Sequence, residues 1–354
     1  MYMPPARLPA MFHRLAWSNL AAQSAEQIGL AAAPIVAVLM LGAGAGETGL
    51  LQTAQTLPFL VLSIPAGVLA DRLSRARLMA AAEALRTLCL LGILACGLAG
   101  WLSVPLLALL GFVGACGTVT YSVAAPAMVP ALVSAANLAR ANARIELART
   151  CAFAAGPALA GVLVGWIGAE PAFAVAALCS AAAASLLAGL REPARAARAP
   201  RHPLHDLREG AVFVFGHPLL LPVFLTQFIF GVAFFMLQAV YVPYAAGRLG
   251  LSAAGIGLTL AAYGAGMIVG ALAAPQIMRR LRFGLVAAIG PVTGFAAALI
   301  MASTIWLPSA WLAGISFLLM GAGPILWVIS TTTLRQSVTP ENLLGRASAI
   351  NTLA

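Results

Sequence analysis

The sequence predicts an all-α polytopic membrane protein, on three observations. Apolar residues make up 62% of the chain and charged residues only 8%, against roughly 45–50% and 25% in soluble domains. A soluble core has no room for that much apolar surface, so lipid must be the solvent. The apolar residues also fall into ten runs, each near the ~20 residues that a membrane helix needs. Finally, arginine is concentrated in alternate connections between those runs.

The spans are expected at about 15–40, 48–70, 78–100, 104–130, 145–168, 171–190, 219–245, 252–277, 284–304 and 308–333. Gly, Pro or charge marks most of the boundaries. Arg7 and Arg14 precede the first span, and Arg72, Arg75 and Arg77 lie between the second and third. Arg140 and Arg144 follow the fourth, and Arg191, Arg195, Arg198, Arg201 and Arg208 follow the sixth. Arg279, Arg280 and Arg282 follow the eighth, and Arg335 and Arg346 the tenth. Only Arg248 falls in an odd-numbered loop. Basic flanks resist translocation, so the N-terminus and the even loops are expected in the cytoplasm. One missed span would scramble this alternation.

All 20 basic residues are Arg, and the net charge is +10. Its placement at span ends points to a lipid bilayer and not to nucleic acid. Cys89, Cys96, Cys116, Cys151 and Cys179 sit inside apolar runs without CxxC spacing or nearby His. No disulfide framework, metal site or cofactor is expected from them. The apolar run after Arg14 is too long for the core of a cleavable signal peptide.

The chain repeats itself. "GVLADRLSR" (67–75) aligns with "APQIMRRLR" (274–282), placing Arg72 on Arg279 and Arg75 on Arg282. "VSAANLARAN" (133–142) aligns with "VTPENLLGRA" (338–347), placing Val133, Asn137 and Leu138 on Val338, Asn342 and Leu343. A six-span unit separates the copies. Two parallel six-helix halves are a transporter architecture, with substrate bound near the midplane between them. Residues 1–190 form the N-terminal half and 218–354 the C-terminal half. The basic stretch 191–217 is a cytoplasmic linker. Leu204, Leu207, Ala211 and Phe215 share a helical face within it, as on a helix lying at the membrane surface. A flexible linker is the alternative.

Gly67, Asp71, Arg72, Arg75 and Arg77 together resemble the signature of the second cytoplasmic connection in the major facilitator superfamily, with Ser74 where that family usually has Gly. "AAPAMVPALVSAANLARANA" (124–143) and "GPALAGVLVGWIG" (156–168) resemble a branch of drug and siderophore exporters within it. The resemblance implies the major facilitator fold of two six-helix halves. It implies a conformational latch at Gly67, Asp71, Arg72, Arg75 and Arg77, with Asp71 facing the N-terminal end of an eleventh helix. It also implies a bend or close packing at Gly156, Pro157 and Gly161. Ala160 replaces a second Gly there. Arg144, Glu146 and Arg149 are expected to partner the loop signature.

A charge at mid-membrane costs about 2.5–3.5 kcal/mol on insertion scales, so it is a functional candidate by default. Glu26 lies near the middle of the first span, flanked by Gln23 and Gln27. It is a candidate proton or substrate site. Tyr121, Gln227, Gln238, Tyr241 and Trp327 are candidates for the substrate surface. Glu83 and Arg86, three apart, share a helix face and are expected to form a structural ion pair near the cytoplasmic end of the third span. Gly266 and Gly270 form a GxxxG, expected to serve packing. The fourth span carries no Arg, where many proton-coupled relatives have one.

The sequence thus points to a transporter of the bacterial inner membrane, a monomer exporting a small amphiphilic molecule in exchange for protons. An uptake carrier, or a scaffold or fragment without transport activity, is the alternative. A membrane enzyme would need catalytic groups clustered at one depth, yet His13, His202, His205 and His217 lie at cytoplasmic margins. Residues 341–354 repeat the entry to the fifth span and are expected to begin an eleventh. The two-half reading then expects two further spans beyond residue 354, over about 50–70 residues. Residues 1–354 by themselves are expected to transport poorly.

Overall fold

Caps and breakers place the helix ends. The computed structural model describes residues 8–134, 137–190, 203–339 and 350. Its helices are α1 (Ala10–Leu39), α2 (Ala45–Arg72), α3 (Arg75–Leu98), α4 (Val104–Leu132), α5 (Leu138–Trp166), α6 (Ala169–Ala188), α7 (Pro203–Gly216), α8 (Leu220–Gly247), α9 (Ala253–Arg280), α10 (Phe283–Ser303) and α11 (Ala310–Val338). Ser74 caps α3, its hydroxyl accepting from the Arg77 N–H at 3.5 Å. Glu47 accepts from the Gly44 N–H at 2.9 Å and closes the first turn of α2. Gly168, at φ 113°, makes the abrupt turn from α5 into α6, a conformation that any Cβ would strain.

Nine helices among the described residues are long and apolar enough to cross a membrane. They match nine of the ten expected spans. The exception is α2, expected as a span over 48–70. It is a helix of the right length, but Thr48, Gln52, Thr53, Gln55 and Thr56 dilute its apolar character. Thr48 and Gln55, two turns apart, are buried. A Cβ at Gly111 would stand 3.4 Å from the Gln55 Cγ, so part of this polar stripe packs against α4 instead of facing lipid. Prolines interrupt α1, α2, α4, α5, α8, α10 and α11. Neighbouring helices re-satisfy the freed carbonyls in such segments.

The chain divides into two units, Met1–Arg195 with Val242–Ala261, and Ala196–Tyr241 with Ala262–Ala354. In the first, α1 packs against α5 and α6, α4 against α2 and α3, and α3 against α6. Its core joins Phe12, Leu15, Met79, Ala82, Tyr121, Met128, Ala183 and Leu187. The α3–α4 seam is tightest at Gly117, where a Cβ would lie 2.7 Å from the Ala82 carbonyl oxygen. Gly117→Val should therefore lower stability by about 1–3 kcal/mol, the usual cost of overpacking. Thermal unfolding of the purified protein in detergent checks this. An unchanged midpoint would mean that the seam opens freely.

In the second unit, α10 packs along α11. Gly266 and Gly270 of α9 lie against the Leu318 and Ala322 backbone of α11, so the GxxxG serves packing. Helix α7 forms where the linker was expected to carry a surface helix, but its packed face differs. Val214 is buried with Leu220 and Ile350, flanked by Ala211 and Phe213, whereas Phe215 is exposed. The chain turns back at His217, whose Nδ1 accepts from the Leu219 N–H at 3.2 Å. That turn brings Leu220 over Val214. The side chains of Leu204 and Leu207 lie outside the described residues, as does 341–354 apart from the helical Ile350.

Candidate functional site

The first unit encloses a cluster of charge. Glu83 and Arg86 stand one turn apart on α3, and both are buried, with relative exposures of 0% and 5%. Arg86 Nη1 lies 3.1 Å from Glu83 Oε1 and donates to Oε2 at 3.3 Å. The same nitrogen donates to the Ala22 carbonyl of α1 at 3.0 Å. Arg86 Nη2 donates to Thr118 Oγ1 of α4 at 2.7 Å. From α6, the Ser180 hydroxyl lies 2.8 Å from Glu83 Oε2 and 3.0 Å from the Glu83 carbonyl. One ion pair thus ties four helices together. The expected structural pair exists, and it occupies the core of the unit.

Glu26 stands on α1 one turn beyond Ala22 and is half-buried. Residues four apart share a helix face, so Glu26 stands on the face of α1 whose Ala22 carbonyl Arg86 holds. The Tyr121 hydroxyl donates to Asn19 Oδ1 at 3.5 Å. Asn19 Nδ2 donates to the Ile145 carbonyl of α5 at 3.3 Å. Tyr121 is thus buried and engaged within the helix core.

Gln23 is half-buried. Gln27 is buried at the crossing of α1 and α5, where a Cβ at Gly156 would stand 3.1 Å from the Gln27 carbonyl carbon. Gly161 meets residues of α9 that belong to the same unit, its Cβ position lying 2.8 Å from the Gly257 Cα. Gly257 in turn crosses over the Pro157 carbonyl. Gly156, Pro157 and Gly161 therefore allow two close backbone approaches. In the second unit, Gln227 and Gln238 are half-buried. Tyr241 is buried edge-on against Phe317, with centroids 4.6 Å apart. Trp327 is buried where a Cβ at Gly290 would lie 3.1 Å from its Cγ.

Of the loop signature, Gly67 lies near Val123 of α4, with a Cβ position 3.9 Å from its Cγ1. Arg75 is half-buried and Arg77 exposed. The side chains of Asp71 and Arg72 lie outside the described residues. Arg149 pairs with Glu146 one turn away, its Nε 3.0 Å from Oε1, and lies over the Phe153 ring at 5.7 Å. Arg144 reaches His13 Nδ1 at 3.4 Å. Sequence reasoning missed Asn19, Thr118 and Ser180. Each is a small polar residue inside an apolar helix, and that was the available signal. No group of three or more His, Cys, Asp or Glu that could hold a metal occurs among the described residues.

Residues 11–354 match the family model described as transmembrane secretion effector, a major facilitator family. The chain is 30% identical over 321 residues to the enterobactin exporter EntS of Citrobacter koseri, covering 89% of this chain and 74% of that protein. It is 29% identical over 315 residues to an uncharacterised MFS-type transporter of Sinorhizobium fredii, covering 86% and 75%. The nucleoside transporter NupG superposes with a TM-score of 0.76 at 13% identity, covering 98% of this chain and 87% of that one. A bacterial homologue of the iron transporter ferroportin, in its inward-facing state, gives 0.68 at 17% identity, covering 98% and 89%.

Proposed function

The chain belongs to the transmembrane secretion effector family of the major facilitator superfamily, and from that premise we propose that it exports a small amphiphilic molecule in exchange for protons. It is a multi-pass membrane transporter and not an enzyme. The export direction rests on one observation above others, the 30% identity to an exporter across 89% of this chain. The substrate class follows the same likeness: a drug-like or siderophore-like molecule, part apolar and part polar. The protein works as a monomer in the bacterial inner membrane, with its N-terminus in the cytoplasm, as the placement of arginine supports. Residues 1–190 and 218–354 act as the two halves of an alternating-access cycle, joined by 191–217.

Glu26 is the proton-exchanging group in this reading, with Gln23 and Gln27 beside it. Gln227, Gln238, Tyr241 and Trp327 contribute to substrate recognition. The deciding experiment is efflux of a compound panel from a host lacking its main exporters. Lower retention of a compound, abolished by an uncoupler, is expected. Uptake in place of efflux would give the chain the opposite direction.

Gly67, Asp71, Arg72, Arg75 and Arg77 form the conformational latch of the cycle. A carboxylate near a helix N-terminus is favourable by about 0.3–1 kcal/mol. Asp71→Asn keeps the volume and removes the charge. It should slow efflux while leaving the amount of protein in the membrane unchanged. Equal efflux at equal expression would reject the latch.

A further inference from the structure

We infer that Arg86 is the switch of proton coupling, a guanidinium held by Glu83 and the Ala22 carbonyl and captured by Glu26 when that carboxyl loses its proton. The inference rests on the reading of Glu26 as the proton site.

Charge counting supports it. Glu26, Glu83 and Arg86 comprise two carboxylates and one guanidinium. With both carboxylates ionised the cluster carries a net −1; with one protonated it is neutral. Charge inside a membrane protein is kept only where it is compensated. The hydrogen bonds identify the ionised member. Glu83 receives Arg86 and lies within hydrogen-bond distance of the Ser180 hydroxyl. The proton therefore belongs on Glu26.

Geometry supplies the route. Arg86 Nη1 is already on α1, bonded to the Ala22 carbonyl. Glu26 lies one helical turn further along α1, on the same face as Ala22. Arg86 need not cross the bundle to reach it. Other titratable groups on the neighbouring helices are Glu83 on α3, Tyr121 on α4 and Arg149 on α5. Arg149 is engaged by Glu146 and Tyr121 by Asn19. Arg86 is the cation that two carboxylates can share.

When Glu26 gives its proton to water, the cluster gains one negative charge and Arg86 turns toward Glu26. The same guanidinium bonds Ala22 on α1 and Thr118 on α4. Its movement loosens that α1–α4 tie, so a proton step becomes a change in helix packing. In this arrangement the guanidinium is supplied by α3.

The test needs no substrate. The purified full chain in lipid is titrated by infrared difference spectroscopy, following the carbonyl stretch of a protonated carboxyl. The band lost in Glu26→Gln reports Glu26. Arg86→Gln should raise its midpoint by about one pH unit or more, because a cation that favours the carboxylate is gone. Glu83→Gln should lower it by a similar amount, because a repelling charge is gone and Arg86 is freed. Arg86→Lys, keeping the charge, should fall nearer the wild type than Arg86→Gln does. If Arg86→Gln does not fold, Glu83→Gln alone still decides, since it leaves the guanidinium with Ala22 and Thr118. A midpoint unmoved by these variants, or moved the same way by both neutral ones, overturns the role of Arg86 while leaving Glu26 as the proton site. Absence of the Glu26 band from the wild type overturns both readings.

Discussion

Glu26→Gln is expected to abolish accumulation driven by a proton gradient while leaving substrate exchange intact. The amide matches the carboxyl in volume and hydrogen-bonding reach, so binding and helix packing should persist. It cannot carry a proton across the cycle. A gradient of one pH unit supplies about 1.4 kcal/mol per proton, a factor of about ten in accumulation for one-to-one exchange. That factor should vanish in proteoliposomes, whereas exchange of labelled for unlabelled substrate without a gradient should continue. Gradient-driven accumulation at the wild-type level would remove Glu26 from the coupling pathway. Loss of both activities would make it a structural residue or a substrate ligand instead.

The fold was legible because its two strongest signals are one-dimensional. Runs of apolar residues mark helices in lipid, and the basic residues between them mark alternate sides. Helix α2 shows where the first signal blurs. Its glutamines and threonines dilute its apolar character, yet Thr48 and Gln55 are buried, and Gln55 is covered because α4 lies alongside at Gly111. Helix α7 shows a related limit. Periodicity grouped Ala211 with Phe215, but the turn at His217 brings Leu220 back over Val214, and that return cannot be read from the helix by itself.

The candidate site was legible only in part. The i,i+3 spacing of Glu83 and Arg86 announces a pair. It does not announce Ser180, 97 residues away from Glu83, or the Ala22 carbonyl, 64 residues from Arg86. A backbone carbonyl leaves no trace in a sequence, and a serine in an alanine-rich helix is a weak one. Tyr121 was conspicuous as a polar aromatic, yet its hydroxyl engages Asn19 inside the core. Function at such positions depends on which helices are neighbours, so only the three-dimensional arrangement separates a candidate ligand from a packed residue.

The largest stability effect is expected at the same ion pair. Arg86→Met removes the guanidinium and leaves the Glu83 carboxylate buried without its counter-charge. Breaking a buried pair from one side typically costs about 3–5 kcal/mol, because one charge stays uncompensated. Ser180 can still donate to Glu83 Oε2, but a single hydroxyl does not balance a full charge. The contacts to Ala22 and Thr118 are lost as well, so α1 and α4 lose a shared anchor. Glu83→Leu combined with Arg86→Met removes both charges, and apolar pairs of similar volume are often neutral or stabilising in such places. The double variant should therefore unfold well above Arg86→Met in a thermal scan in detergent, at a temperature near the wild type. It should also have lost the proton linkage of Glu26, which separates stability from coupling. If the single and double variants unfold together, the cost lies in the lost contacts to α1 and α4 and not in a stranded charge.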